Sequence, residues 1–228
     1  MNLIDSGSPD CIPLSQRLQR LPRKQLKFWI SDPPQPTSPP INIDAYYNIN
    51  TQFGSLLSLP DGNAINPHNG WAYTRDLTLV ANQEYTGYVV NSYNSDMNQI
   101  LNLFDLNVPF GIIPRLNYLL TNISNYVDQC ATPEDIQRAI WILVGQLRDH
   151  HRSEQTEMIL RDVYTNGNNF VPSLPTDNVA VFLTAANQWP ATDITIFNQL
   201  LIIPLTLAEF HPTGLPCTLI EWGNYPSQ

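Results

Sequence analysis

After Lys27 the 228-residue chain contains no further lysine. The last 198 residues hold six arginines against 18 acids, a net of −12, whereas the first 30 carry Arg17, Arg20, Arg23, Lys24 and Lys27 against Asp5 and Asp10, a net of +3. An acidic body repels nucleic acid, whose affinity for proteins rests on phosphate neutralisation, so nucleic acid is excluded as a partner. The basic stretch has two readings, contact with phosphate or an acidic neighbour, and a solvated arm that pairs with the acidic body of its own or a neighbouring subunit; the second is favoured. Long apolar runs are missing too. The longest, Leu200 to Leu207, is broken by Pro204 and falls far short of the roughly 20 residues that span a bilayer, which excludes membrane insertion. What remains is a water-soluble chain with enough residues to bury a core.

Cysteine is scarce, and Cys11, Cys130 and Cys217 form no C-x-x-C pair, which argues against a zinc site or a thioredoxin-like motif. An odd number leaves one disulfide plus a free or intermolecular thiol in an oxidising compartment, or three thiols elsewhere. Cys11, in the N-terminal arm, is the cysteine placed for an inter-subunit disulfide. No G-x-S-x-G, P-loop, H-E-x-x-H or dinucleotide fingerprint occurs. His150 and His151 are adjacent, so on a helix they point about 100° apart, and they suit the negative end of a helix dipole better than a metal. His68 and His211 stand alone. The neighbouring acids Glu134 and Asp135 fit the first turn of a helix, not a facing catalytic pair. No metal, no cofactor and no catalytic residue is expected, and the chain does not read as an enzyme. The first 30 residues also hold no apolar run behind a basic start, so no secretory leader is read; a mature end, another export route and no export all stay open.

Proline is plentiful where it occurs. Residues 31–40 read SDPPQPTSPP, five prolines in ten positions, which favours extended chain and separates an arm at 1–30 from a body at 41–228. Within the arm, Leu14, Leu18 and Leu21 suggest a short amphipathic helix ending near Pro22. In the body, Ile41 to Tyr47, Ala72 to Val80 and Tyr85 to Tyr93 read as strands, with turns at Asp61-Gly62 and Pro67 to Gly70. Helices are predicted from Asp96, from Pro114 to Ile123, from Thr132 through an apolar face ending at Leu147, and from Ser153 to Asn166-Gly167. Strands at Asn178 to Thr184 and Ile194 to Leu207 close the chain. This order predicts an α+β fold: a mostly antiparallel, barrel-like sheet with an inserted helical block, preceded by an extended N-terminal arm.

The helix Thr132 to Gly145 reads TPEDIQRAIWILVG. Gln137, followed by Ala139-Ile140-Trp141, resembles the glutamine motif of bacterial thioester-type surface (adhesin) domains. There the glutamine is joined to a cysteine in an aromatic-Cys-apolar-Asp motif on an early strand. The matching stretch here resembles Ala72-Tyr73-Thr74-Arg75-Asp76-Leu77, with Asp76 in place and Thr74 at the cysteine position. Pro114 to Leu120, Asn169 to Pro172 and Val179 to Leu183 resemble the flanking segments, so the likeness covers about residues 65–205. A thioester requires a thiol, so threonine rules out that bond. The resemblance leaves three states of the pair open: a Thr74–Gln137 hydrogen bond, an intramolecular ester assisted by Asp76, or a Gln137 with no role.

The resemblance implies an extracellular or cell-surface location. The expected function is a structural or adhesive surface protein, a filament or coat subunit whose arm docks on a neighbour, with a second copy or another surface protein as partner. The alternative is a monomeric glycan- or ligand-binding module, to which Trp71, Trp189, Trp222 and the tyrosines would contribute; Trp141, inside an apolar helix, belongs to the core.

Overall fold

The computed structural model describes residues 24–31, 41–46, 66–74, 83, 85–93, 111–148, 152–174, 176–185 and 200–207. They form six strands, β1 (Lys24–Ser31), β2 (Ile41–Tyr46), β3 (Asn66–Ala72), β4 (Tyr85–Asn91), β5 (Asn178–Ala185) and β6 (Leu200–Thr206). Between β4 and β5 lie four helices, α1 (Ile112–Thr121), α2 (Ile123–Asp128), α3 (Pro133–Leu143) and α4 (Glu154–Asn166). All strand pairs are antiparallel, and the order β1-β2-β3-β6-β5-β4 closes through β4–β1 into a barrel. The fold is therefore mixed α+β, with the helices inserted as one block.

Alternation along the strands separates two buried faces. Trp71, Tyr73, Val90, Ala180, Phe182, Leu200 and Ile202 join the apolar sides of α1, α3 and α4 in one core. The intervening Val89, Val179, Val181, Leu183, Leu201 and Ile203 are buried on the other face, with Phe28. A strand covered on both sides has no polar alternation, which is why Val179 to Leu183 is continuously apolar. Gly87 is needed where β4 passes Phe28: a Cβ there would sit 2.6 Å from both the phenyl ring and the Thr184 carbonyl oxygen.

The local signals of the helical block are realised. Thr132 and Asp135 form a capping box around Pro133, and the Ser153 hydroxyl accepts from the Thr156 amide at 3.0 Å. Asp135 also joins the two helices, accepting from the Ser153 hydroxyl and from Thr156 Oγ1 at 3.2 Å. Burial opposes its charge, but the hydrogen bonds from Ser153, Thr132 and Thr156 outweigh burial and hold the carboxyl below the ordinary aspartate value.

Five readings of the sequence differ from this structure. The strand read from Ala72 to Val80 instead ends at Ala72, because β3 runs Asn66–Ala72 and the chain bends at Tyr73 and Thr74. Lys24–Ser31, read as the end of the arm (to residue 30) and the first residue of the proline linker, is a barrel strand paired with both β2 and β4. Pro67 to Gly70, read as a turn, lies inside β3; at Pro67 β3 is paired with β2 alone, and a strand with one partner there tolerates a residue without an N–H. The capped helix ends at Leu143, not Leu147, because Gly145 takes a left-handed φ of 78° and Gln146 N–H closes back on the Trp141 carbonyl at 2.8 Å. The helix read from Pro114 begins at Ile112 and hands over to α2. The expected helices around Leu14 and after Asp96, the proline stretch, and His150, His151, His211, Trp189 and Trp222 lie outside the described residues.

Candidate functional site

β2 starts at Ile41, opposite Gly70, so the ladder on that side of β3 stops two residues before β3 does. Continuing the register would set Pro39 against Ala72, and a proline nitrogen has no hydrogen to offer. On its other side β3 stays paired with β6: Ala72 registers with Leu201, and Tyr73 N–H donates to the Leu200 carbonyl at 2.8 Å. The N–H and C=O of Ala72 therefore point toward the side that β2 has left.

Gln137 occupies that place. It sits in the second turn of α3, is 2% exposed, and its carboxamide pairs with Ala72 in both directions. Ala72 N–H donates to Oε1 at 2.9 Å, and Nε2 donates to the Ala72 carbonyl at 2.8 Å. A side-chain amide has the donor and acceptor of a peptide group, so one glutamine extends the ladder by one rung where a strand cannot. The helix brings it there by burying Ile136, Ala139, Ile140 and Leu143 around it.

Thr74 lies just past the end of β3 and is nearly buried. Its Oγ1 accepts from Leu200 N–H at 3.2 Å, so Tyr73 and Thr74 together hold the first residue of β6. Asn117 repeats the device on α1: fully buried, its Oδ1 accepts from Ala180 N–H at 2.8 Å on β5. Three buried polar atoms close by in sequence or register have no partner among the described residues: Tyr73 Oη, Trp141 Nε1 and Thr184 Oγ1. Tyr73 adjoins Ala72, Trp141 lies four residues beyond Gln137 on α3, and Thr184 registers with Leu200. Burial drives the Tyr73 hydroxyl far above the ordinary tyrosine value, so it stays protonated at any physiological pH.

Of the residues singled out in sequence, the structure thus places Thr74 and Gln137 at one end of β3, Gln137 bonded to Ala72, two residues before Thr74, and Thr74 bonded to Leu200 of β6. Asp76 and Cys11 lie outside the described residues. Cys130 is exposed, with a free thiol, at a left-handed φ of 67° after α2. Trp71 is buried in the core, not displayed. The role of Ala72 as the partner of Gln137 escaped the sequence reading because it is played by backbone atoms, which leave no side-chain signature; the paired prolines before Ile41 were the available signal. Among the described residues no group of three or more His, Cys, Asp or Glu could hold a metal, and no helix is long and apolar enough to cross a membrane. No protein-family model, curated protein or solved structure matches the chain.

Proposed function

We propose that this chain is a structural or adhesive cell-surface domain of the thioester type in which hydrogen bonds have taken the place of the reactive bond. The observation that carries this reading is the Gln137 carboxamide, buried and bonded at both ends to Ala72, two residues before Thr74. Gln137 of the glutamine motif meets the Ala72-Tyr73-Thr74 end of β3, and that contact supports the reading. With threonine at the cysteine position and its hydroxyl engaged by Leu200, the pair supports a fixed scaffold and not capture of an amine.

A rigid barrel suits a protein that bears load or presents a surface. The basic N-terminal segment supplies a means of docking on the acidic body of a second copy or of another surface protein, by charge and by strand or helix addition. Because β1 begins at Lys24, the test removes residues 1–23 and keeps the barrel strand. Size-exclusion chromatography with light scattering should show oligomers for the full chain and monomers for the truncated one, with unchanged circular dichroism. Equal assembly by both chains would overturn the docking role.

A further inference from the structure

We infer that the groove between α1–α2 and α4 is a binding site for a neutral, hydroxyl-rich small molecule, a mono- or disaccharide. The open groove has a volume of about 470 Å³, and Gln137 is not among the residues that line it. That volume falls within the range of about 300–1,000 Å³ typical of small-molecule pockets.

Its floor is a fixed polar network. Asp162 of α4 accepts from Tyr126 Oη at 2.7 Å, from Tyr118 Oη at 3.2 Å and from Asn166 Nδ2 at 2.7 Å. Tyr126 is 2% exposed, and Tyr118 is braced by an edge-on contact with Phe170 at 5.4 Å between ring centroids. Burial first, and then the Asp162 carboxylate, raise both tyrosines above their ordinary value, with the Asn166 amide opposing the shift at Tyr118, so both remain donors toward Asp162 and hold it in place. The rim is made of amides. Asn125 Nδ2 donates to Asn122 Oδ1 at 2.9 Å and Gln129 Nε2 to the Asn125 carbonyl at 3.2 Å, which orients both side chains. The amide oxygens of Asn125, Gln129 and Asn166 have no donor among the described residues.

The chemistry selects the ligand. Three donors already meet the Asp162 carboxylate, so it is not a bare anion waiting for a cation. Arg161 also lines the groove, so one guanidinium and one carboxylate leave the lining without formal net charge. Amide groups that both give and accept match sugar hydroxyls, which do the same. Helix-borne side chains locked by their own hydrogen bonds present this pattern without reorganisation. The inference does not depend on the state of Thr74 and Gln137 or on assembly through the N-terminus.

The test is a titration of the full-length, ¹⁵N-labelled protein with glucose, galactose, mannose and N-acetylglucosamine, following side-chain amide resonances. Glucosamine and N-acetylneuraminate serve as charged comparators. Binding of at least one neutral sugar is expected, with shifts at Asn125, Gln129 and Asn166. The double variant N125A/Q129A alters exposed side chains, so its backbone spectrum should be unchanged while affinity falls about ten-fold. The inference fails if no neutral sugar shifts these resonances, if the double variant binds as tightly as the parent, or if a charged comparator alone binds.

Discussion

Replacing Gln137 tests whether a side-chain amide really stands in for a strand, and two substitutions separate the possibilities. Gln137→Ala leaves the Ala72 N–H and C=O facing a buried void. Each unsatisfied buried group costs about 1–3 kcal/mol, so a loss of about 2–4 kcal/mol is expected after partial relaxation. That is a large share of the roughly 5–15 kcal/mol that holds a domain together. Gln137→Glu preserves shape and makes the outcome depend on protonation. As a neutral acid it donates its O–H to the Ala72 carbonyl and accepts the Ala72 N–H, much as glutamine does. Ionised, it sets an oxygen against the carbonyl oxygen, and burial adds to the penalty, so its folded-state pKa must rise above the ordinary value of about 4.3. The native state then keeps a proton that the unfolded chain has released. The variant's stability is therefore fully present below the unfolded pKa and falls with rising pH, by about 1.4 kcal/mol per unit, until the folded pKa is passed. Urea unfolding followed by far-UV circular dichroism, near pH 4 and near pH 7, gives the comparison when each variant is subtracted from the parent at the same pH. Q137E should lie within about 1 kcal/mol of the parent at the lower pH and near Q137A at the higher one. A Q137E that tracks the parent at both values, or a Q137A that loses less than about 0.5 kcal/mol, would refute the reasoning.

Three further outcomes follow from the same structure. The intact mass under non-reducing conditions should equal the sequence mass; a deficit of one ammonia mapped to peptides holding Thr74 and Gln137 would instead establish an ester. Gly87→Ala should lower stability by about 1–3 kcal/mol in thermal or urea unfolding, because the new methyl meets Phe28 and the Thr184 carbonyl at 2.6 Å, and a neutral result would mean that β4 passes Phe28 less closely. Asp135 has a lowered carboxyl, so its contribution is present above the ordinary value of 3.8 and is lost as pH falls through its folded value. Asp135→Asn should flatten that part of the acid-unfolding curve, and an unchanged acid limb would assign the loss to other carboxylates.

The helical block was legible because its signals are local. Thr132-Pro133 with Asp135, Ser153 before Glu154, and Gly167 after Asn166 mark three ends to within a residue, since each acts through bonds inside one turn. Gly145 carried the same kind of signal, but the apolar Leu147 beyond it extended the pattern and hid the stop. Non-local pairing was harder to read. Lys24–Ser31 carries the strand alternation Leu26, Phe28, Ile30, yet its lysines and the adjoining prolines suggested an arm; pairing with β4, about 60 residues away, decides the matter. Pro67 likewise signals a turn unless the extent of each neighbouring strand is known. Thr74 and Gln137 were visible as residues, whereas their contacts with Leu200 and Ala72 depend on where β2 stops. Asp162 and its two tyrosines belong to three different helices, and nothing in their spacing announces that they meet.

The amide of Gln137 also bears on how this molecule avoids unwanted company. A sheet position with an open N–H and C=O is a template on which another chain can add a strand, and barrels gain much of their solubility by leaving no such position. Where β2 ends before β3 does, closure alone would leave Ala72 unpaired on that side, next to the apolar Trp71 and Tyr73. Gln137 occupies that position from within the same chain, at no cost in exposed charge, in a barrel whose described lysines are confined to β1. The helix is thus a stopper against stray strand addition, and weakening it should turn a self-contained barrel into a seed for aggregation.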